Sequence, residues 1–171
     1  MYSIVLLSLI QSLTEFLPIS SSGHLLILGK LGVSQQSLGL DVLLHLGTLL
    51  AVVCYFFQDI LALLKSFKKG HDKSMLIRLI VATLPILVVG GVAFHLFRNV
   101  FRTMTLIALN SIFWGVILWI VDKYAPKKKK LNSLTIKGAF LIGCGQAVAL
   151  IPGTSRSGIT MSVGRLLGIN R

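Results

Sequence analysis

Residues 11–28 read QSLTEFLPISSSGHLLIL, an apolar run that carries a glutamine, the chain's only glutamate, three consecutive serines and a histidine. Gln11 and Glu15 are four residues apart, so on a helix both side chains project from the same face. Pro18 ends that helix, because proline lacks a backbone donor and clashes with the preceding turn. A carboxylate at the bilayer centre costs at least about 2.5 kcal/mol and usually marks function. The stretch therefore predicts a broken helix that carries a polar site at membrane depth.

The composition is that of a membrane protein. Of 171 residues, 54% are hydrophobic and 13% are charged, against roughly 25% charged in soluble domains. The mean hydropathy is +0.86. The net charge of +12 is concentrated in short basic segments between apolar ones, a placement that suits anionic lipid headgroups. We therefore expect membrane lipids, and no nucleic acid, as partners.

The order of apolar segments predicts an inverted repeat. Three segments have the length of a membrane span, and lysines concentrate at 58–75 and 122–137, so the turn at 98–102 faces outward. An odd number of spans separates two shorter runs that each end at a proline, so the two enter from opposite faces. The predicted fold is an all-α, multi-pass integral membrane bundle with inverted repeats and re-entrant helix hairpins, a single domain over 1–171. Its parts are a first re-entrant hairpin at about 3–34, spans at 40–57, 76–97 and 103–121, and a second re-entrant segment at about 138–168.

The second broken run ends in PGTSRSGIT at 152–160. The 14 apolar residues before Pro152 rise only about 21 Å, so Arg156 is expected inside the bilayer, where its charge needs an anionic partner. Guanidinium matches phosphate bidentately, although an ion pair between Arg156 and Glu15 is the alternative. Serine hydroxyls and free backbone N–H groups bind phosphoryl oxygens, or the serines simply cap helices.

Two histidines lie near these polar runs. Imidazole is the side chain that ordinarily changes charge near neutral pH, so His24 is a candidate general base, general acid or nucleophile. His45 follows Asp41 by four residues, which predicts a hydrogen-bonded pair on one helix face. Packing or topology explains that second pair as well as catalysis does.

At these residues the chain resembles the bacterial undecaprenyl-diphosphate phosphatase family of the bacitracin-resistance type. Residues 11–28 look like its first signature, 152–160 like its second, and DVLLHLGTLLAVVCYF at 41–56 like the connecting segment. The resemblance implies hydrolysis of undecaprenyl diphosphate to undecaprenyl phosphate, which recycles the carrier lipid for peptidoglycan synthesis. It also implies a divalent cation, Mg²⁺ or Ca²⁺, and a site open to the periplasm in the bacterial plasma (inner) membrane. A polyprenyl diphosphate is thus the expected partner. Whether the protein forms a homodimer is left open by the sequence.

Site residues follow from matching the signatures position by position. Gln11 stands where the family often has glutamate, which leaves Glu15 as the one carboxylate for a metal. The choice between Ser21 and His24 as nucleophile stays open. The implied catalytic residues are Glu15, Ser21, His24 and Arg156, and the implied substrate-binding residues are Gln11, Ser20, Ser22, Ser155, Ser157 and Thr160.

The resemblance also bears on the end of the chain. Family members continue past the position of Arg171 through further apolar helices, so those C-terminal helices are expected to be absent here. Two other functions remain open. Broken helices in inverted repeats also bind anions in transporters, which would make the protein a non-enzymatic carrier of lipid phosphate or a small anion. The third hypothesis is an inactive truncated fragment.

Overall fold

The computed structural model describes residues 2–33, 37–67, 72–97, 103–126 and 128–170. Its regular elements are helices, which confirms the all-α prediction. The predicted turn at 98–102 lies outside the described residues, as do Lys68, Lys69 and His71. The elements are α1 (Tyr2–Phe16), α2 (Ser21–Lys30), α3 (Leu38–Tyr55), α4 (Phe57–Lys65), α5 (Ser74–Phe97), α6 (Met104–Tyr124), a 3₁₀ turn (Leu131–Ser133), α7 (Ile136–Val148) and α8 (Arg156–Leu166).

Two helices of the described chain are long and apolar enough to cross a membrane, and a bent pair makes a third span when taken together. The straight spans lie in α5 and α6, where the sequence predicts them. None of the α5 window and 11% of the α6 window is buried within the protein, so these apolar side chains face outward, as lipid-facing surfaces do.

The first predicted span differs from the structure. α3 ends at Tyr55, and α4 continues from Phe57 at an angle of 70°. Residues 57–65, which the sequence assigned largely to a basic connecting segment, are therefore helical. The pair counts as one broken span or as a re-entrant turn.

The N-terminal half packs around a small apolar cluster. Leu7 of α1, Leu25 of α2 and Leu44 of α3 are buried together. Because α1 and α2 meet at the Pro18 break, this cluster holds the two arms of the first broken helix against α3. The polar residues 11–24 are thereby fixed at one end of the cluster.

α5 and α7 pack with their backbones in close approach. A Cβ on Gly143 of α7 would lie 2.5 Å from the carbonyl oxygen of Ala82 and 2.9 Å from the ring of Pro85. Small residues allow this approach between membrane helices. Gln146 Nε2 also donates to Ala82 O at 3.3 Å. α7, the first arm of the second broken helix, is therefore fixed against α5.

α8, the second arm, is tied to α6 by an ion pair. Arg165 is 5% exposed, and its Nε donates to Asp122 Oδ1 at 3.1 Å. Its Nη1 donates to Ile169 O at 3.0 Å. A charge this deeply buried is stable only when it is paired and hydrogen-bonded, so the pair fixes where α8 ends.

Candidate anion site between two serine-capped helices

α2 and α8 begin with the same capping structure. In α2, Ser20 Oγ accepts from the backbone N of Gly23 at 3.4 Å. In α8, Ser155 Oγ accepts from the backbone N of Gly158 at 3.2 Å. The serine two positions further on places its Oγ 3.1 Å from the cap hydroxyl in α2 and 3.0 Å in α8. This shared Ser-x-Ser-Gly arrangement supports the internal repeat that the sequence indicates.

The two capped N-termini meet at one cavity. Ser157 Oγ donates to the carbonyl of Leu17 at 3.0 Å, across 140 residues of sequence. The N–H groups at the start of a helix have no intrahelical acceptor, and each N-terminus carries about half a positive charge. A cavity bordered by two such ends is therefore suited to an anion. It has a volume of about 550 Å³, and its polar lining includes Ser20, His24, Ser111 and Ser155.

Glu15 is the centre of a polar cluster behind this first cap. Its Oε2 accepts from Gln11 Nε2 at 3.0 Å and from Ser21 Oγ at 2.7 Å, and His45 Nε2 lies 3.6 Å from the same oxygen. The predicted proximity of Gln11 and Glu15 is therefore present in the structure.

The same cluster fits a hard cation. The Gln11 side chain is fully buried, and its Oε1 has no hydrogen-bond partner. An amide oxygen, a carboxylate and a hydroxyl are the oxygen ligands that Mg²⁺ and Ca²⁺ prefer, usually completed by water. Within the described ranges no three His, Cys, Asp or Glu residues group together as a metal site. The ligands that the chain offers are thus mostly neutral, with Glu15 the one carboxylate among them.

Both histidines have a defined tautomer. His24 Nδ1 lies 2.7 Å from Ser20 O, and His45 Nδ1 lies 2.8 Å from Asp41 O. A carbonyl oxygen only accepts, so Nδ1 carries the hydrogen in each ring, and Nε2 of the neutral ring keeps its lone pair. The predicted His45–Asp41 pair exists, but through the backbone carbonyl of Asp41. His24 Nε2 is left available to act as a base or nucleophile.

The remaining predicted site residues lie at different places around the cavity. Arg156 is exposed at the first position of α8, and it forms no ion pair within the part of the chain that the structure describes. Ser22 borders a smaller neighbouring cavity of about 260 Å³, together with Asp41 and His45. Thr160 borders a cavity of about 790 Å³ on another side, and its hydroxyl bonds to backbone carbonyls within α8.

Two polar residues of α6 that sequence reasoning did not select hold the second loop. Asn110 Nδ2 donates to Pro152 O at 2.9 Å and to Thr154 Oγ1 at 2.7 Å. Ser111 Oγ donates to Gly153 O at 2.9 Å. The available signal was an amide side chain inside an apolar span, since polar residues there usually face the protein interior.

Membrane-spanning helices, together with two proline-broken helices whose capped N-termini share a cavity, define an integral membrane protein with a candidate anion site. Residues 4–171 match the model of the family described as bacitracin resistance protein BacA. The chain belongs to this family, which confirms the resemblance seen in its two signatures.

Named relatives agree with this assignment. An undecaprenyl-diphosphatase of Alteromonas mediterranea is 41% identical over 179 residues, covering 100% of this chain and 67% of its own length. Undecaprenyl-diphosphatase 1 of Pseudoalteromonas translucida is 40% identical, with 98% and 66% covered. The undecaprenyl-diphosphatase of Campylobacter curvus is 43% identical, again with 98% and 66% covered. The chain thus spans about two thirds of the length of these relatives.

Proposed function

We propose that the protein hydrolyses undecaprenyl diphosphate to undecaprenyl phosphate and inorganic phosphate, at the cavity between the two serine-capped helices. The observation that carries the proposal is the convergence of two helix N-termini on one cavity. A diphosphate headgroup has the charge that such N-termini attract. Relatives about 40% identical over nearly the whole chain carry the name undecaprenyl-diphosphatase, which supports the same substrate.

Positive charge and N–H donors hold the headgroup. Arg156 begins α8, and its planar guanidinium can bind two phosphate oxygens at once. The first-turn N–H groups of both helices add donors that no intrahelical acceptor uses. Because phosphoryl transfer depends mostly on positioning and on stabilising charge, these groups supply most of the rate acceleration.

We assign the chemistry at phosphorus to Ser21 and His24; His24 lines the cavity, and Ser21 directly follows Ser20 of the cavity wall. The Ser21 hydroxyl donates to Glu15 at 2.7 Å, so the carboxylate can accept its proton as the oxygen attacks. The Nδ1 of His24 donates to Ser20 O. The neutral ring can take a proton from water at Nε2, and the imidazolium formed can give that proton to the leaving phosphate oxygen. Attack by water or by Ser21 Oγ breaks the bond between the terminal phosphorus and the bridging oxygen, and that oxygen leaves with undecaprenyl phosphate. When Ser21 attacks, water hydrolyses the resulting phosphoserine in a second step, which releases inorganic phosphate and restores the hydroxyl.

We further propose that Glu15 and the buried Gln11 oxygen hold a divalent cation, Mg²⁺ or Ca²⁺. When bound, the cation neutralises phosphate charge near the nucleophile. The unpartnered Gln11 Oε1 supports this assignment, because a buried acceptor without a donor is costly. We place the protein in the bacterial plasma membrane with the cavity open to the periplasm, where it would recycle the carrier lipid of peptidoglycan synthesis.

The test is release of inorganic phosphate from a detergent-solubilised polyprenyl diphosphate. Arg156→Ala and His24→Ala should each lower turnover by about 100-fold or more, the loss typical of removing one transition-state donor. Arg78→Ala removes an arginine from α5, away from the cavity, and should leave turnover unchanged. Wild-type turnover in either site variant would refute the proposal. Lipid movement across vesicles without phosphate release would instead identify a carrier.

A further inference from the structure

We propose that Asn110 of α6 is a positioning residue for this reaction, acting through the loop at 152–154. The inference rests on the proposed function and assigns a role to a residue outside both sequence signatures. Asn110 is not part of the cavity wall, whereas its neighbour Ser111 is. Any effect of Asn110 on catalysis must therefore pass through the loop that it holds.

The hydrogen bonds of α6 determine which way the loop's peptide groups face. Asn110 binds the carbonyl oxygen of Pro152, and Ser111 binds that of Gly153. In a trans peptide the N–H points opposite to the C=O, so the N–H of Gly153 points away from α6. Gly153 lines the cavity. A carbonyl turned toward a phosphate would repel it, and binding both carbonyls to α6 prevents this.

Asn110 suits the role because both hydrogens of its amide are used. One goes to Pro152 O and the other to Thr154 Oγ1. The carbonyl can only accept, so the orientation of the amide is unambiguous. Thr154 is 8% exposed and directly precedes Ser155, the cap of α8. Asn110 thereby fixes the residues that determine where α8 and Arg156 begin.

A purely structural role would have the same hydrogen bonds, so the experiment needs a matched control. Gln146 provides one, because its amide also donates to a backbone carbonyl of another helix, that of Ala82, 64 residues away. It lies outside the wall of the anion cavity. Gln146→Leu therefore removes one amide hydrogen bond between helices, Asn110→Leu removes two, and only the second substitution touches the loop.

The experiment measures phosphate release from polyprenyl diphosphate by the whole chain, together with thermal unfolding. Asn110→Leu should lower kcat/KM by about 100-fold, as expected when a catalytic group is misplaced by about 1 Å. Gln146→Leu should change kcat/KM by less than about threefold, although it too should lower the melting temperature, because it loses an interhelical amide hydrogen bond.

Coupling to Arg156 separates positioning from stability. If Asn110 acts by placing Arg156, the effects of Asn110→Leu and Arg156→Lys should not multiply. The fold-loss of activity in the double variant should be at least about tenfold smaller than the product of the two single fold-losses. Gln146→Leu combined with Arg156→Lys should show independent losses. Should Asn110→Leu fail to fold, Thr154→Val removes one of its acceptors with little change in shape. Thr154→Val should lower kcat/KM by about fivefold, and this loss should also be non-multiplicative with that of Arg156→Lys.

The outcomes separate the two proposals. Absence of phosphate release by the wild-type chain refutes the proposed function, and this inference with it. Release by the wild type, combined with independent losses for Asn110→Leu and Arg156→Lys, refutes only the positioning role. Near-wild-type kcat/KM in a folded Asn110→Leu protein also refutes the positioning role and leaves the proposed function intact.

Discussion

Replacing Gly153 by alanine tests how closely the second loop approaches α6. Gly153 has φ +91°, and a Cβ there would lie 2.5 Å from the carbonyl oxygen of Ile107. Alanine at positive φ costs about 1–2 kcal/mol. The contact must also open to at least 3.0 Å, the shortest approach that real Cβ atoms make. Overpacking of this kind costs about 1–3 kcal/mol, so the total expected loss of stability is about 2–5 kcal/mol.

Gly32 provides the matched control for backbone strain. It has φ +76°, and a Cβ there would meet nothing within 4 Å. Gly32→Ala therefore carries only the strain of about 1–2 kcal/mol. The difference between the two variants isolates the contact between Gly153 and Ile107, about 1–3 kcal/mol.

The assay is thermal unfolding of both variants in one detergent, followed by phosphate release. For a chain of this size 1 kcal/mol corresponds to about 2–4 °C, so Gly153→Ala should melt about 2–12 °C below Gly32→Ala. Opening the contact also lengthens the hydrogen bonds from Asn110 and Ser111, so only Gly153→Ala should lose activity. Equal melting temperatures and equal activities would refute the close packing of loop and helix.

Two further predictions concern charged groups away from the cavity. Hydrogen bonds from the backbone N and then the side chain of Ser74 hold the pKa of Asp72 below its usual value. The stability that these hydrogen bonds give to the start of α5 is therefore present at neutral pH and lost as pH falls through the lowered pKa. Ser74→Ala removes the side-chain donor and should raise the pKa of Asp72 toward normal in an NMR titration, and an unchanged value would contradict that hydrogen bond. Arg165→Met should destabilise the fold by about 2–4 kcal/mol in thermal unfolding, because it breaks a largely buried pair with Asp122, and a loss under about 1 kcal/mol would contradict that pairing.

Local features of the sequence predicted the parts of the site that depend on short-range structure. Pro18 ends α1, as its missing N–H requires, and a serine near each break caps the next helix. The i, i+4 spacing of Gln11 and Glu15 was enough to predict their contact. These predictions succeed because each depends only on residues close together in sequence.

Other features depended on contacts that spacing does not encode. Asn110 donates a hydrogen bond to Pro152, 42 residues away in sequence, and no local pattern in α6 predicts that contact. The bend between α3 and α4 is not predicted, because the lysines at 58–75 indicate a connecting segment, whereas residues 57–65 form a helix whose one basic residue, Lys65, lies in its last turn. His45 bonds to a carbonyl and approaches Glu15, a result of how α1 and α3 pack.

Ile107 of α6 has a consequence for the dimensions of the site. Its carbonyl adjoins Gly153 of the second loop, while its side-chain Cγ2 would lie 3.3 Å from a Cβ on Gly23 of α2. One residue thus contacts both the second loop and α2, and its side chain fills part of the space between them, while the hydrogen bond from Ser157 to Leu17 also joins the two halves of the site. Exchanging this hydrocarbon side chain for a smaller or larger one would therefore change the space beside the cavity, with every polar group of the site left in place.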